Sequence, residues 1–223
     1  MIFKPLYPVV LLSGLLASLS LAAPVPGAQN FELEKSKPSN SFKEPGTRFY
    51  GDIPSNSKTK GEEHIMKAMK DVNVTIAQKE KEPLVIEITV TNNGPDQIWF
   101  KEAISPFSTK AFELGLFKIL ADGVPNDFGY FDFNPNKEWP YDEKKNVNIK
   151  AGKSETRELT LPGSNIQGSS QWLDMLKGAG NVNMQMGGIF KGVSVKKNSW
   201  SHDDWEKSEM YPGYFSNVIE LDF

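Results

Sequence analysis

The chain of 223 residues contains no cysteine. That absence excludes disulfides, a thiol nucleophile, thiolate metal ligands and zinc ribbons, and it leaves stability to core burial, which a domain of this length can supply unaided. Histidine is almost absent as well, with only His64 and His202. Neither opens an HExxH, whose two histidines one helical turn apart hold zinc, and no GxSxG elbow is present to carry a serine nucleophile. A Ser/His/Asp arrangement would need one of these two as its base, so the chain is expected not to be an enzyme. Positive charge is equally thin: 25 Lys and Arg against 28 Asp and Glu give a net charge of −3, and the lysines are scattered. Without a basic patch to follow phosphates, nucleic acid is not expected as a partner. Long apolar runs are missing beyond the first residues, so no membrane span is expected, and nothing in the sequence asks for a cofactor.

What is present begins with an address. Lys4 supplies a positive start, residues 9–21 (VVLLSGLLASLSL) an apolar core, and Ser20-Leu21-Ala22 a small-x-small cleavage pattern. Residues 1–22 therefore read as a signal peptide, and the product is expected to be secreted and extracellular. Residues 23–70 are rich in Pro, Ser, Asn and Lys and hold no sustained apolar period. Such a segment cannot bury enough surface to offset its chain entropy, and it reads as a flexible N-terminal arm. Phe31, Leu33, Phe42, Phe49 and Tyr50 are its candidates for docking on the folded part, and a short helical turn fits residues 62–69. His64 falls in this arm and is expected to be solvated.

The folded domain is expected over residues 71–223. Its clearest stretch is 84–93, LVIEITVTNN, where Leu84, Ile86, Ile88 and Val90 share one face and Glu87, Thr89 and Thr91 the other. That period of two is the mark of a half-buried strand, which needs a second layer to cover it. Asn92-Asn93-Gly94 then turns the chain, with Gly and Asn read as the residues that tolerate positive φ. Further alternation predicts strands over 72–76, 97–100, 112–120, 182–186 before Gly187-Gly188, and 219–223. Val147 and Ile149, followed by Ala151-Gly152 and the run SETRELTL, predict a hairpin. One helix is expected over 169–177. About seven short strands with one short helix suit an all-β fold, an immunoglobulin-like β-sandwich, and the lack of paired Cys sets it apart from antibody-type domains.

The order of these pieces, ITVTNNGPDQIWF, ILADGVPNDF, VNIKAGKSETRELTL and finally YFSNVIELDF, resembles the N-terminal β-sandwich region, pro-domain-like, of fungal deuterolysin and peptidyl-Lys metalloendopeptidases. The resemblance covers roughly residues 72–223. It implies the fold of that region without its catalysis, since the family's HExxH has no counterpart at His64 or His202. It further implies a non-catalytic module that binds or inhibits a secreted metallopeptidase supplied by another chain.

Two aromatic-rich acidic loops are the candidate binding residues. Tyr130, Phe133, Trp139 and Tyr141 lie among Asp127, Asp132, Glu138 and Asp142; Trp200, Trp205 and Tyr211 lie among Asp203, Asp204, Glu206 and Glu209. Aromatic side chains serve protein interfaces and sugar-stacking platforms alike, so a carbohydrate-binding or cell-wall-associated protein is the alternative function. The plainer reading, favoured by the usual burial of aromatics, is that several of them cover the ends of the sandwich. Asp132, Asn134 and Asn136 alternate, and Glu143 lies eleven residues beyond Asp132, the spacing of the bidentate Glu in a calcium loop. Lys137 stands where that loop requires Gly, which makes calcium a weak candidate beside an ordinary polar loop. Asn73-Val74-Thr75 is the only N-x-Ser/Thr sequon, a glycosylation candidate on the first strand.

Overall fold

The computed structural model describes residues 42–43, 60–126, 145–163, 168–197, 206–207 and 211–223. Among them the elements run, in chain order, α1 (Lys60–Lys70), β1 (Val72–Glu80), β2 (Leu84–Asn92), β3 (Gln97–Lys101), β4 (Phe117–Ala121), β5 (Val124–Pro125), β6 (Asn146–Ile149), β7 (Lys153–Leu161), α2 (Ser169–Lys177), β8 (Val182–Ile189), β9 (Ser194–Lys196), β10 (Glu206–Lys207) and β11 (Gly213–Leu221). The strands form three antiparallel sheets, ordered β1-β2-β7, β10-β9-β3-β6 and β11-β8-β4-β5. One apolar core draws on all three sheets and on both helices. The protein is therefore the all-β, immunoglobulin-like sandwich that the alternation predicts.

β2 carries that alternation most plainly. Leu84, Ile86, Ile88 and Val90 are buried, while Glu87, Thr89 and Thr91 are half-exposed on the other face. β1 repeats the pattern with Val72, Val74 and Ile76 inward and Asn73, Thr75 and Ala77 outward. Along the core an aromatic chain links β3 to β11: Phe100 meets Phe190 edge-on at 4.9 Å, and Phe190 meets Tyr214 at 5.0 Å. The Tyr214 hydroxyl is buried with no hydrogen-bond partner among the described residues, and burial pushes its pKa well above that of a free phenol.

The first and third sheets meet where β1 runs beside β11, and side-chain carboxamides take the place of a backbone ladder there. Asn217 donates to Ile76 O at 3.0 Å and accepts from Ile76 N at 2.8 Å. Gln78 does the same for Asp222, donating to its O at 2.6 Å and accepting from its N at 2.7 Å. Asn217 is free to reach across because β11 bulges against β8 between Phe215 and Val218. A third carboxamide works alike: Gln185 of β8 accepts from Lys43 N at 3.0 Å and donates to Lys43 O at 2.6 Å. It also donates to Ser216 O, so the same bulge fixes residue 43. Phe42 lies beneath the Lys118 ammonium, 5.8 Å from ring centre to nitrogen.

Several sequence expectations are corrected. The stretch 112–120 is a strand only from Phe117; Leu114 N bonds Lys110 O and Gly115 N bonds Phe112 O, and Gly115 at φ +67 closes a turn. Phe112 alternates with its neighbours yet is buried for another reason, packing edge-on against Trp172 of α2 at 5.0 Å. β6 and β7 are not a hairpin: β6 pairs with β3 and β7 with β2, so the turn at Gly152 carries the chain from one sheet to another. Gly187 and Gly188 do not end their strand, because they lie opposite Phe215 and Tyr214, whose rings occupy the space a Cβ would need. By contrast, the helical turn expected over 62–69 is present as α1, and its Ile65, Ala68 and Met69 are buried in the core. Strands β5, β9 and β10 are two or three residues long, too short for periodicity to reveal.

Candidate binding surface

The loop expected to carry Tyr130, Phe133, Trp139 and Tyr141, together with the calcium candidates Asp132, Asn134, Asn136 and Glu143, lies outside the described residues, as do Trp200, Trp205 and His202. Of the aromatic candidates Tyr211 is described. It is 38% exposed just ahead of β11, while Tyr214, three residues on, is buried at 1%. The short stretch into β11 thus contains both roles proposed for the aromatics, one ring presented to solvent and one closing the core. Among the described residues no three His, Asp or Glu side chains gather as metal ligands would.

His64 departs from its expected solvation. Its Nε2 lies 3.2 Å from the Asp96 carboxylate with both side chains largely covered, which ties α1 to the turn between β2 and β3. That turn is built on Asn92 rather than on backbone permissiveness. Asn92 is fully buried; it donates to Asp96 O at 2.7 Å and Ile149 O at 3.2 Å and accepts from Gly94 N at 3.1 Å. No positive φ occurs at Asn92, Asn93 or Gly94. Space favours glycine at 94, since a Cβ there would sit 3.2 Å from Asn92 Oδ1 and push against the oxygen that accepts from Gly94 N.

Among the described residues the longest open edge is β7. It pairs with β2 through all nine residues, Lys153 to Leu161, without a bulge, and no described strand lies on its other side. Nine residues at a strand's rise present about 30 Å of edge. Its side chains are mostly exposed, but Arg157 turns back to Glu102 at 2.8 Å and lies over Phe107 at 5.0 Å, which anchors the strand at mid-length. On the outward face of β1-β2-β7, short polar side chains form rows across the strands. Asn73, Thr91 and Ser154 make one row and Thr75, Thr89 and Thr156 the next. Thr91 bonds Ser154 and Thr89 bonds Thr156, each at 2.9 Å between hydroxyl oxygens. At the margin of this sheet Glu87 raises the Lys79 pKa through a 3.2 Å hydrogen bond, and the bond between Glu82 and Lys177 lowers the carboxyl and raises the amine. All three shifted groups are exposed, so these ties position side chains and add little stability.

Curated proteins offer no match to the chain. An immunoglobulin-like domain family matches residues 71–222, from the start of β1 to the end of β11. With most of its length inside that match, and with sheets built as described, the chain belongs to the immunoglobulin-like domain family.

Proposed function

We propose that the chain is a secreted, non-catalytic immunoglobulin-like module that acts by binding another extracellular protein, in the first instance a secreted metallopeptidase that it holds or inhibits. The observation that carries the reading is the open, regular edge of β7. A strand paired on one side presents alternate N–H and C=O groups to solvent, and an extended segment of a partner can complete them as a further strand. The choice of partner comes from the resemblance of residues 72–223 to the sandwich region of metalloendopeptidases. The leader-like residues 1–22 support secretion.

The test is capture from the culture fluid of the source organism with the mature chain as bait, read by mass spectrometry and followed by a peptidase assay. A metallopeptidase recovered and slowed by the chain is the expected result. Ser154→Pro and Glu155→Pro make the assay specific to the edge. In adjacent residues one N–H faces β2 and the other faces outward, so one variant disrupts the sheet and the other blocks only the partner. Circular dichroism distinguishes the two. A folded outward-blocking variant that binds as well as the parent would remove β7 as the docking edge; recovery of no peptidase would remove the partner.

A further inference from the structure

We propose that Asn73 carries an N-linked glycan and that the outward face of β1-β2-β7 is consequently the sugar-bearing, solvent-facing side of the sandwich. The sequon alone is a common pattern; its placement is what distinguishes it. Asn73 and Thr75 are both exposed and lie on the same face of β1, opposite Val72, Val74 and Ile76, which fill the core. A register slip of one residue would turn Asn73 inward, where a sugar is incompatible with folding. The ladder to β2 fixes the register instead, with Asn73 opposite Thr91 and Thr75 opposite Thr89.

The carboxamide itself is also distinctive. Asn92 and Asn217 use their amides to hold backbone, and replacing an amide proton there would break the turn or the β1–β11 junction. The Asn73 side chain makes no hydrogen bond among the described residues, the ladder to β2 being made by its backbone, so modification at its Nδ2 disrupts nothing described. Its neighbours in the row, Thr91 and Ser154, are short and bonded to each other, leaving room above the sheet. The open edge of β7 lies two strands away, about 10 Å across the sheet, so a glycan at Asn73 is rooted away from that edge rather than on it.

The donor is a lipid pyrophosphate-linked oligosaccharide of a eukaryotic secretory compartment. The Asn73 Nδ2–C1 bond forms and the C1–O bond to pyrophosphate breaks. Lipid pyrophosphate leaves with the electron pair, and one Nδ2 proton is lost to base. The inference rests on the proposed secretion and not on the proposed partner. Its test is expression of the full chain, with its own N-terminus, in a eukaryotic secretory host beside a control glycoprotein. The expected product in the medium carries a mass excess that peptide-N-glycosidase removes without denaturant, converting Asn73 to Asp. Thr75→Ala abolishes the excess and Thr75→Ser retains it at reduced occupancy. Unmodified Asn73 in secreted chain overturns the site, and release only after denaturation overturns its outward placement. A chain held unglycosylated in the cytosol overturns the secretion on which the inference rests, an outcome distinct from the other two.

Discussion

Asn92 shows how one buried side chain can hold a corner that its local sequence describes differently. TNNG reads as a flexible turn, since Asn and Gly are the residues most at home in turns. The structure uses no left-handed backbone there and instead fills the corner with a carboxamide making three hydrogen bonds, one of them to Ile149 of another sheet. Asn92→Leu keeps a similar volume and removes all three, leaving Gly94 N–H and two carbonyls unpaired in a buried site. The expected cost is about 3 kcal/mol, given a penalty of about 1–3 kcal/mol for each buried group left unsatisfied and partial relaxation around it. Urea unfolding measures it; a loss below about 1 kcal/mol would mean that water enters the corner and replaces the amide. The residue type was visible in the sequence. Its burial was not, because Ile149 lies far along the chain.

At the scale of elements, legibility follows length and period. β2 and β1 could be read because four and three apolar residues alternate without interruption, and a strand's period is unambiguous over such lengths. β6 and β7 were readable as strands but not as members of different sheets. A short turn with Gly152 is compatible with a hairpin or a corner, and only the partners β3 and β2 decide between them. The junction of β1 with β11 was hidden for a related reason: it is made by Asn217 and Gln78, polar residues that look like surface. Asn217 bonds both polar groups of Ile76, so Asn217→Leu should cost about 2 kcal/mol, two hydrogen bonds at about 1 kcal/mol each. The more exposed Gln78→Leu should cost less, since water replaces its bonds to Asp222. Hydrogen exchange provides the local check. The Ile76 amide should exchange faster in Asn217→Leu while Ile88 of β2 keeps its protection, and unchanged exchange at Ile76 would show that backbone packing alone holds β1 against β11.

For the whole molecule, the point at issue is where the folded body begins. The family match and the first long alternation both start at residues 71–72, and the composition before them is polar. α1 is legible as a helical turn over 62–69 but not as part of the core, because KGEEHIMKAMK has only a narrow apolar stripe; Ile65 and Met69 on that stripe are nevertheless fully buried. His64, paired with Asp96, fastens the same helix to the corner that Asn92 builds. Complete burial of an Ile or Met side chain contributes about 1.5–3 kcal/mol, so removing α1 should cost on the order of 4 kcal/mol before any exposure of the core beneath it. Against a typical total of about 5–15 kcal/mol that is a large fraction. A chain of residues 71–223 is therefore expected to unfold at clearly lower urea than one of residues 60–223, and to bind a hydrophobic dye that the longer chain does not. Point variants separate packing from pairing: Met69→Ala should account for about half of the loss, whereas His64→Gln, which keeps a hydrogen-bonding group near Asp96, should account for little. Equal midpoints for the two chains would place α1 outside the cooperative unit and return the boundary to residue 71.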